Sequence, residues 1–339
     1  MQKTLYTLIS VLLISFLINL SCAFGNQAGT LKSFFNNKTG FYYTVQKGDT
    51  LWDLSQKFYS SEWDWPGLWE LNDKIKNPHL IYPGERLKVF FRGGLSLENR
   101  PTMKSKKEEK PVIVEPAKGT VKPVEGEIQL SFYYPLIDKV GFIKRNAISP
   151  AGKILRAEND NTDLISENDI IYVRAHDNGS LTLNTQYQVY ETSIIKNRGV
   201  RHSIKGIIQI EERKQDYYTA KVIETYTDLN PDDLIMEFLE RDREFIVKKE
   251  NDKINAKIIC NDNDDAMFGL RQVIYMDLGQ DSAIKKGQVY TIYKTVGKKE
   301  VEFDQIPTGK LIVLHTEDIS STVLIFAANQ EMHPGDPIH

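Results

Sequence analysis

Cysteine is almost missing from this chain: Cys22 and Cys260 are the two in 339 residues. A fold stapled by several disulfides is therefore excluded. An excess of either charge is missing as well. The 43 basic and 46 acidic residues leave a net charge of −3 and a pI near 6.1, without the basic stripe that nucleic acid demands. Beyond the N-terminus no run is apolar enough to span a bilayer, which takes about 20 residues. Catalytic signatures are missing too. The six histidines, His79, His176, His202, His315, His333 and His339, form no HExxH and no other close metal-ligand pair. No Gly-x-Ser-x-Gly elbow is present. Cys260 follows Ile258 and Ile259 and enters an acidic, Asn-rich stretch, a poor setting for a thiolate, and reads as structural. Asp262, Asp264 and Asp265 resemble part of a calcium loop, but no Gly and Glu follow at EF-hand spacing. They read as a solvated turn, as does Glu158 to Asp160, with weak Ca²⁺ binding the lesser alternative. No cofactor and no metal are expected, and the chain is expected not to be an enzyme.

What is present begins with an export signal. Lys3 precedes an apolar run from Leu8 to Leu20, and Ala23 and Gly25 suit the small positions before a cleavage at Asn26. Residues 1–25 are therefore expected to be removed, leaving Cys260 as the sole cysteine and no transmembrane helix in the mature chain. Cys22 keeps a lipoprotein reading open, against which Asn19 and Leu20 fit a lipobox poorly. The product is expected in the periplasm or at the cell wall.

Residues 43–89 are the most informative stretch. Gly48 suits a tight turn leaving a strand. Thr50 is placed to cap a helix, with Asp53 as the acidic half of a capping box. Leu51, Leu54 and Phe58 make one apolar stripe. Pro66 suits the first turn of a second helix carrying Leu68, Trp69 and Leu71. Pro78, Pro83 and Gly84 break the chain before a closing strand, Arg86 to Phe90. All four tryptophans, Trp52, Trp63, Trp65 and Trp69, lie here. A domain this small needs large side chains for its core, so most are expected to be buried. Stacking on sugar is the competing use, and the aromatic stretch Ser60–Gly67 would either extend a binding surface or cover the core.

Tyr43, Val45, Gly48, Asp49, Thr50 and Leu51, then Asn72, then Ile81, Gly84 and Leu87, occur in an order that resembles a LysM module. The resemblance implies a small α+β fold (βααβ) over residues 41–91. It also implies binding of N-acetylglucosamine-containing polymers such as peptidoglycan. It places the sugar between two loops. One is Gly48, Asp49, Thr50 and Leu51, followed by Trp52. The other is Asn77, Pro78, His79, Leu80, Ile81, Tyr82 and Pro83. For Asp49 and Thr50, helix capping competes with ligand contact.

Residues 92–127, rich in Lys, Glu and Pro, read as a disordered, flexible linker. Beyond it the chain repeats itself. Tyr172, Tyr187, Tyr190, Gly206, Thr219, Pro231, Asp233 and Ile235 recur 103 residues later as Tyr275, Tyr290, Tyr293, Gly309, Thr322, Pro334, Asp336 and Ile338. A shift of 104 aligns GKILRAENDN from Gly152 with AKIICNDNDD from Ala256. β-branched and aromatic runs between Gly, Asn and Asp turns predict β structure. Two tandem all-β domains, barrel- or sandwich-like, are expected at 134–236 and 237–339. Leu234, Ile235, Phe238 and Leu239 have helical spacing, so a short joining helix competes there. The whole is expected to be multidomain and non-catalytic, a peptidoglycan binder presenting its β region to an envelope protein partner. The alternative is a hydrolase, or hydrolase activator, with an unrecognised site in that region.

Overall fold

The computed structural model describes residues 38–89, 129–158, 164–176, 179–248, 254–294 and 305–339. The export signal, the linker 92–127 and the acidic turn at Asp160 lie outside them. Two compact units result, Gly40–Phe132 and Tyr133–His339.

In the first unit, strand β1 (Gly40–Thr44) leads to helix α1 (Leu51–Tyr59), a 3₁₀ turn (Glu62–Asp64), helix α2 (Trp65–Glu70) and strand β2 (Arg86–Val89). β1 and β2 pair antiparallel, Phe41 opposite Val89 and Thr44 opposite Arg86. Strand β3 (Leu130–Tyr133) lies on the other side of β1. Period-2 alternation buries Phe41, Tyr43, Leu87 and Val89, and α1 adds Leu51 and Leu54 of the predicted stripe together with Tyr59, while Phe58 is half-buried. Leu68 brings α2 onto this core. Asn72 locks the arrangement. Its amide donates to the carbonyls of Leu68 (2.8 Å) and Lys88 (2.9 Å), and its Oδ1 accepts from the Lys88 N–H (2.7 Å). The end of α2 is thereby tied to β2. The tryptophans depart from expectation: none is buried, and Trp52 and Trp63 are 42% and 71% exposed. Aliphatic side chains, Phe41 and two tyrosines fill the core without them.

The second unit is built from strands. β4 (Phe142–Lys144) precedes β5 (Gly152–Ala157), β6 (Ile170–Ala175), β7 (Gln186–Ile195), β8 (Gly199–Arg213), β9 (Tyr218–Thr225) and β10 (Leu234–Glu237). After β11 (Glu244–Ile246) come β12 (Ala256–Cys260), β13 (Val273–Met276), β14 (Val289–Lys294), β15 (Ile306–Thr316), β16 (Ser321–Ala328) and β17 (Pro337–Ile338). The first sheet runs β4-β8-β7-β10-β5-β6-β9, and an additional β8–β9 pairing closes six of its strands on themselves. The second is a closed barrel, β12-β13-β16-β15-β14-β17. The strand order is the same in both. Leu234–Glu237 is strand, not helix: it pairs with β7 and β5, burying Ile235 between them. Cross-strand hydrogen bonding overrides the local helical spacing there.

Local devices recur at the repeated positions. A Cβ on Gly206 would lie 2.6 Å from the Glu224 carbonyl oxygen, and one on Gly309 would lie 2.6 Å from that of Ala327. Each glycine is followed by a bulge, at Ile207/Ile208 and at Lys310/Leu311. Asp233 accepts from the Asn230 N–H at 2.7 Å, and Asp336 from the His333 N–H at 2.8 Å.

The seven-stranded sheet and the barrel meet along a polar seam. Arg201, 6% exposed, donates to both carboxylate oxygens of Asp264 and to the Asn261 carbonyl. Asp262 accepts from Ser203 (2.8 Å) and from Tyr275. Ser320 and Thr322 donate to the carbonyls of Ile143 and Gly141. The acidic turn at 262–265 is therefore not simply solvated: Arg201, Ser203, Tyr275 and Asn261 engage its carboxylates. His202, between Arg201 and Ser203 on β8, is fully buried, its Nε2 accepting from the Ile148 N–H at 3.1 Å and its ring stacked on Phe142.

Two outcomes follow. Gly206→Ala and Gly309→Ala each lower stability by about 1–3 kcal/mol in urea unfolding, because a carbonyl on the neighbouring strand must move. Burial holds His202 below its ordinary pKa, so the unfolded chain takes up that proton first. Stability is full above pH about 6.5 and falls as the pH drops below it. Urea midpoints compared between neutral and mildly acidic pH show this loss, and His202→Gln reduces the slope.

Candidate carbohydrate-binding site

The ladder between β1 and β2 continues one step past Thr44. The Val45 N–H donates to the Glu85 carbonyl (2.8 Å), and the Gly84 N–H donates back to Val45 (2.9 Å). The chain leaves this point on one side into Gln46–Thr50 and arrives on the other from Asn77–Pro83. The two predicted loops are thus rooted at the same end of one strand pair.

The first loop is held by its own side chains. Gly48 has φ +96°, where a Cβ would be strained. Asp49 Oδ2 accepts from the Gln46 N–H (2.7 Å) and the Tyr43 hydroxyl (2.8 Å). Burial, and then the Asp49 carboxylate, push the Tyr43 phenol well above its ordinary pKa, so it remains a donor. Thr50 caps α1, its hydroxyl oxygen accepting from the Asp53 N–H (3.1 Å) while its proton goes to Asp53 Oδ2 (2.7 Å). Asp53 thus reaches the Thr50 hydroxyl instead of its backbone N–H. Leu51 is 2% exposed and faces the core. Asp49, Thr50 and Leu51 are accordingly committed to the fold, and Trp52 presents the large open side chain.

The second loop is likewise built in advance. Asn77 Oδ1 accepts from the His79 N–H (3.0 Å), and the Asn77 carbonyl accepts from Leu80 N–H (3.0 Å). Glu85 receives the Tyr82 N–H (3.0 Å). Leu80 and Tyr82 stand 54% and 59% exposed, His79 and Pro83 are exposed, and Pro78 and Ile81 are half-buried. Trp69 donates its indole N–H to the Ile75 carbonyl at 2.6 Å and stacks on Trp65, whose ring lies 6.4 Å from that of His79. Two pre-formed loops with exposed rings and no enclosed chamber suit an extended, uncharged chain: sugar C–H faces pack on the rings and backbone groups meet the hydroxyls.

Trp63 was outside the predicted set, although the clustering of all four tryptophans in one small module was its signal. In the second unit, burial raises the Cys260 thiol above its ordinary pKa, only partly offset by Arg201. Among the described residues no group of three His, Cys, Asp or Glu side chains is arranged to hold a metal ion.

Residues 43–90 match the LysM domain family. An uncharacterized protein of Bacillus subtilis (strain 168), YqbP, is 46% identical over 57 residues, which amount to 14% of this chain and 26% of that relative. The chain therefore spans about a quarter of that relative's length, and the family match, residues 43–90, lies within the first unit. The module is a LysM domain, a kind that binds peptidoglycan and related N-acetylglucosamine glycans and occurs in envelope-associated proteins. No helix among the described residues is long and apolar enough to cross a membrane.

Asn72→Ala removes three half-buried hydrogen bonds, one to Leu68 on α2 and two to Lys88 on β2, and lowers the stability of the module by about 2–3 kcal/mol. Hydrogen exchange at the Lys88 amide, which loses its acceptor, accelerates in parallel.

Proposed function

We propose that this is an exported, non-catalytic peptidoglycan-binding protein, held at the wall by its LysM domain and offering its C-terminal barrels to another envelope protein. The observation that carries the reading is the pair of loops rooted on Val45, Gly84 and Glu85, with Trp52, Leu80 and Tyr82 exposed at one end of the module. The glycan contacts would come from the backbone of Gly48–Leu51, whose Asp49 and Thr50 side chains are already engaged, from the exposed side chain of Trp52, and from the loop Asn77–Pro83, where Leu80 and Tyr82 stand open.

The barrels are read as two tandem copies of one domain. Their common strand order, the glycine–bulge pairs at Gly206 and Gly309, and the matching turns at Asp233 and Asp336 support this. A non-catalytic role is supported by the buried thiol of Cys260 and by the engagement of the seam's carboxylates with arginine, serine, asparagine and tyrosine. One LysM domain binds weakly, and a second contact through the barrels would add avidity through effective concentration.

The full chain is expected to co-sediment with purified insoluble peptidoglycan without releasing soluble muropeptides, while residues 127–339 stay in solution. Replacing Leu80 and Tyr82 together by Ala reduces retention about tenfold, from the loss of stacking and apolar contact, with unchanged circular dichroism. Soluble fragments in the supernatant would overturn the non-catalytic reading. Pelleting of residues 127–339 alone would move recognition to the barrels.

A further inference from the structure

The segment joining α1 to α2 carries an aromatic corner that the two loops do not account for. Trp52 and Trp63 meet edge to face, ring centroids 4.9 Å apart and planes inclined at 70°. They remain 42% and 71% exposed. Two indoles open to water in so small a module leave apolar surface that folding alone would cover.

The corner is also held in place. Ser60 closes α1 in the left-handed region (φ 54°), its N–H donating to the Gln56 carbonyl. The hydroxyl of the buried Ser55 donates to the Ser61 carbonyl at 2.7 Å, and that carbonyl also receives the Asp64 N–H. The backbone on either side of Trp63 is therefore fixed before any ligand arrives, which lowers the entropy lost on binding. Trp52 directly follows Leu51, the last residue of the first loop, so one wall of the corner is continuous with the glycan groove.

We infer that Trp52 and Trp63 form an additional sugar-stacking subsite, which extends the groove by a further pyranose ring and makes affinity depend on the length of the N-acetylglucosamine chain. The inference rests on the groove reading above. A pyranose offers an apolar C–H face for one indole and an edge, or an acetamide methyl, for the other. Two rings at a steep angle provide complementary surfaces for these. A flat protein contact would leave the inner angle of the corner unfilled.

The test is calorimetric titration of the full chain with N-acetylglucosamine oligomers, from the dimer to the hexamer. Affinity is expected to rise with length. Trp63→Ala is expected to keep the affinity for the shortest oligomer that binds and to lose about three- to tenfold on the longer ones. Trp63→Phe is expected to restore most of that loss, which separates the ring from a folding effect. If Trp63→Ala matches the unaltered chain at every length, the subsite is overturned and the groove stands. An equal loss at every length also overturns it, placing Trp63 within the groove or the fold. If the unaltered chain binds no oligomer of any length, the groove reading falls and takes the subsite with it.

Discussion

Closing a short sheet on itself demands that one strand bend sharply while keeping its hydrogen bonds. In the C-terminal unit this is met by a strand backbone passing against a glycine. Gly206 on β8 lies under the Glu224 carbonyl and Gly309 on β15 under that of Ala327, each with a bulge immediately after it. A side chain at either position would hold the strands apart, and a bulge adds local bend and twist. Closure then determines what is inside. Ile154, Ile171, Val189, Ile208 and Val222 share one core, and Ile258, Ile274, Ile292, Leu311 and Ile325 share the other. It also removes the open edges of the strands it closes, which would otherwise pair with other chains.

The seam between the barrels depends on the same long strand. The part of β8 before Gly206 carries Arg201, His202 and Ser203, all buried although they are polar. Such groups are tolerated in the interior only with partners. The Asp264 carboxylate overcomes the effect of burial and holds Arg201 above its ordinary pKa, while Arg201 holds Asp264 below its own. The pair also ties the two sheets to one arrangement, because a shift would leave the buried Arg201 without its carboxylate.

Sequence patterns were most legible where one segment decides its own structure. Gly48, the Thr50 cap and Pro66 mark the turns of the LysM domain, and the family match over residues 43–90 agrees with that reading. The β character of the C-terminal region followed from its branched and aromatic runs. What escaped depended on partners distant in the chain. Leu234–Glu237 has helical spacing but is held as strand by β7 and β5. Asp262 and Asp264 looked solvated because Arg201 and Ser203 lie some sixty positions away. The tryptophans looked like core because size favours burial, yet Leu54, Leu68 and Leu87 fill that space. Asn72 is legible as a motif position, while its one bond to Leu68 on α2 and its two to Lys88 on β2 emerge only from the fold.

The seam also sets apart two tyrosine–carboxylate pairs that occupy corresponding places in the two sheets. Tyr172 meets Glu158 at the surface, at 3.4 Å, whereas Tyr275 meets Asp262 with the tyrosine fully buried. The same pairing is a dispensable surface contact in one and a constrained interior contact in the other. Losing the Glu158 carboxylate would leave the Tyr172 hydroxyl to water, whereas losing that of Asp262 would leave the buried Tyr275 hydroxyl without its acceptor.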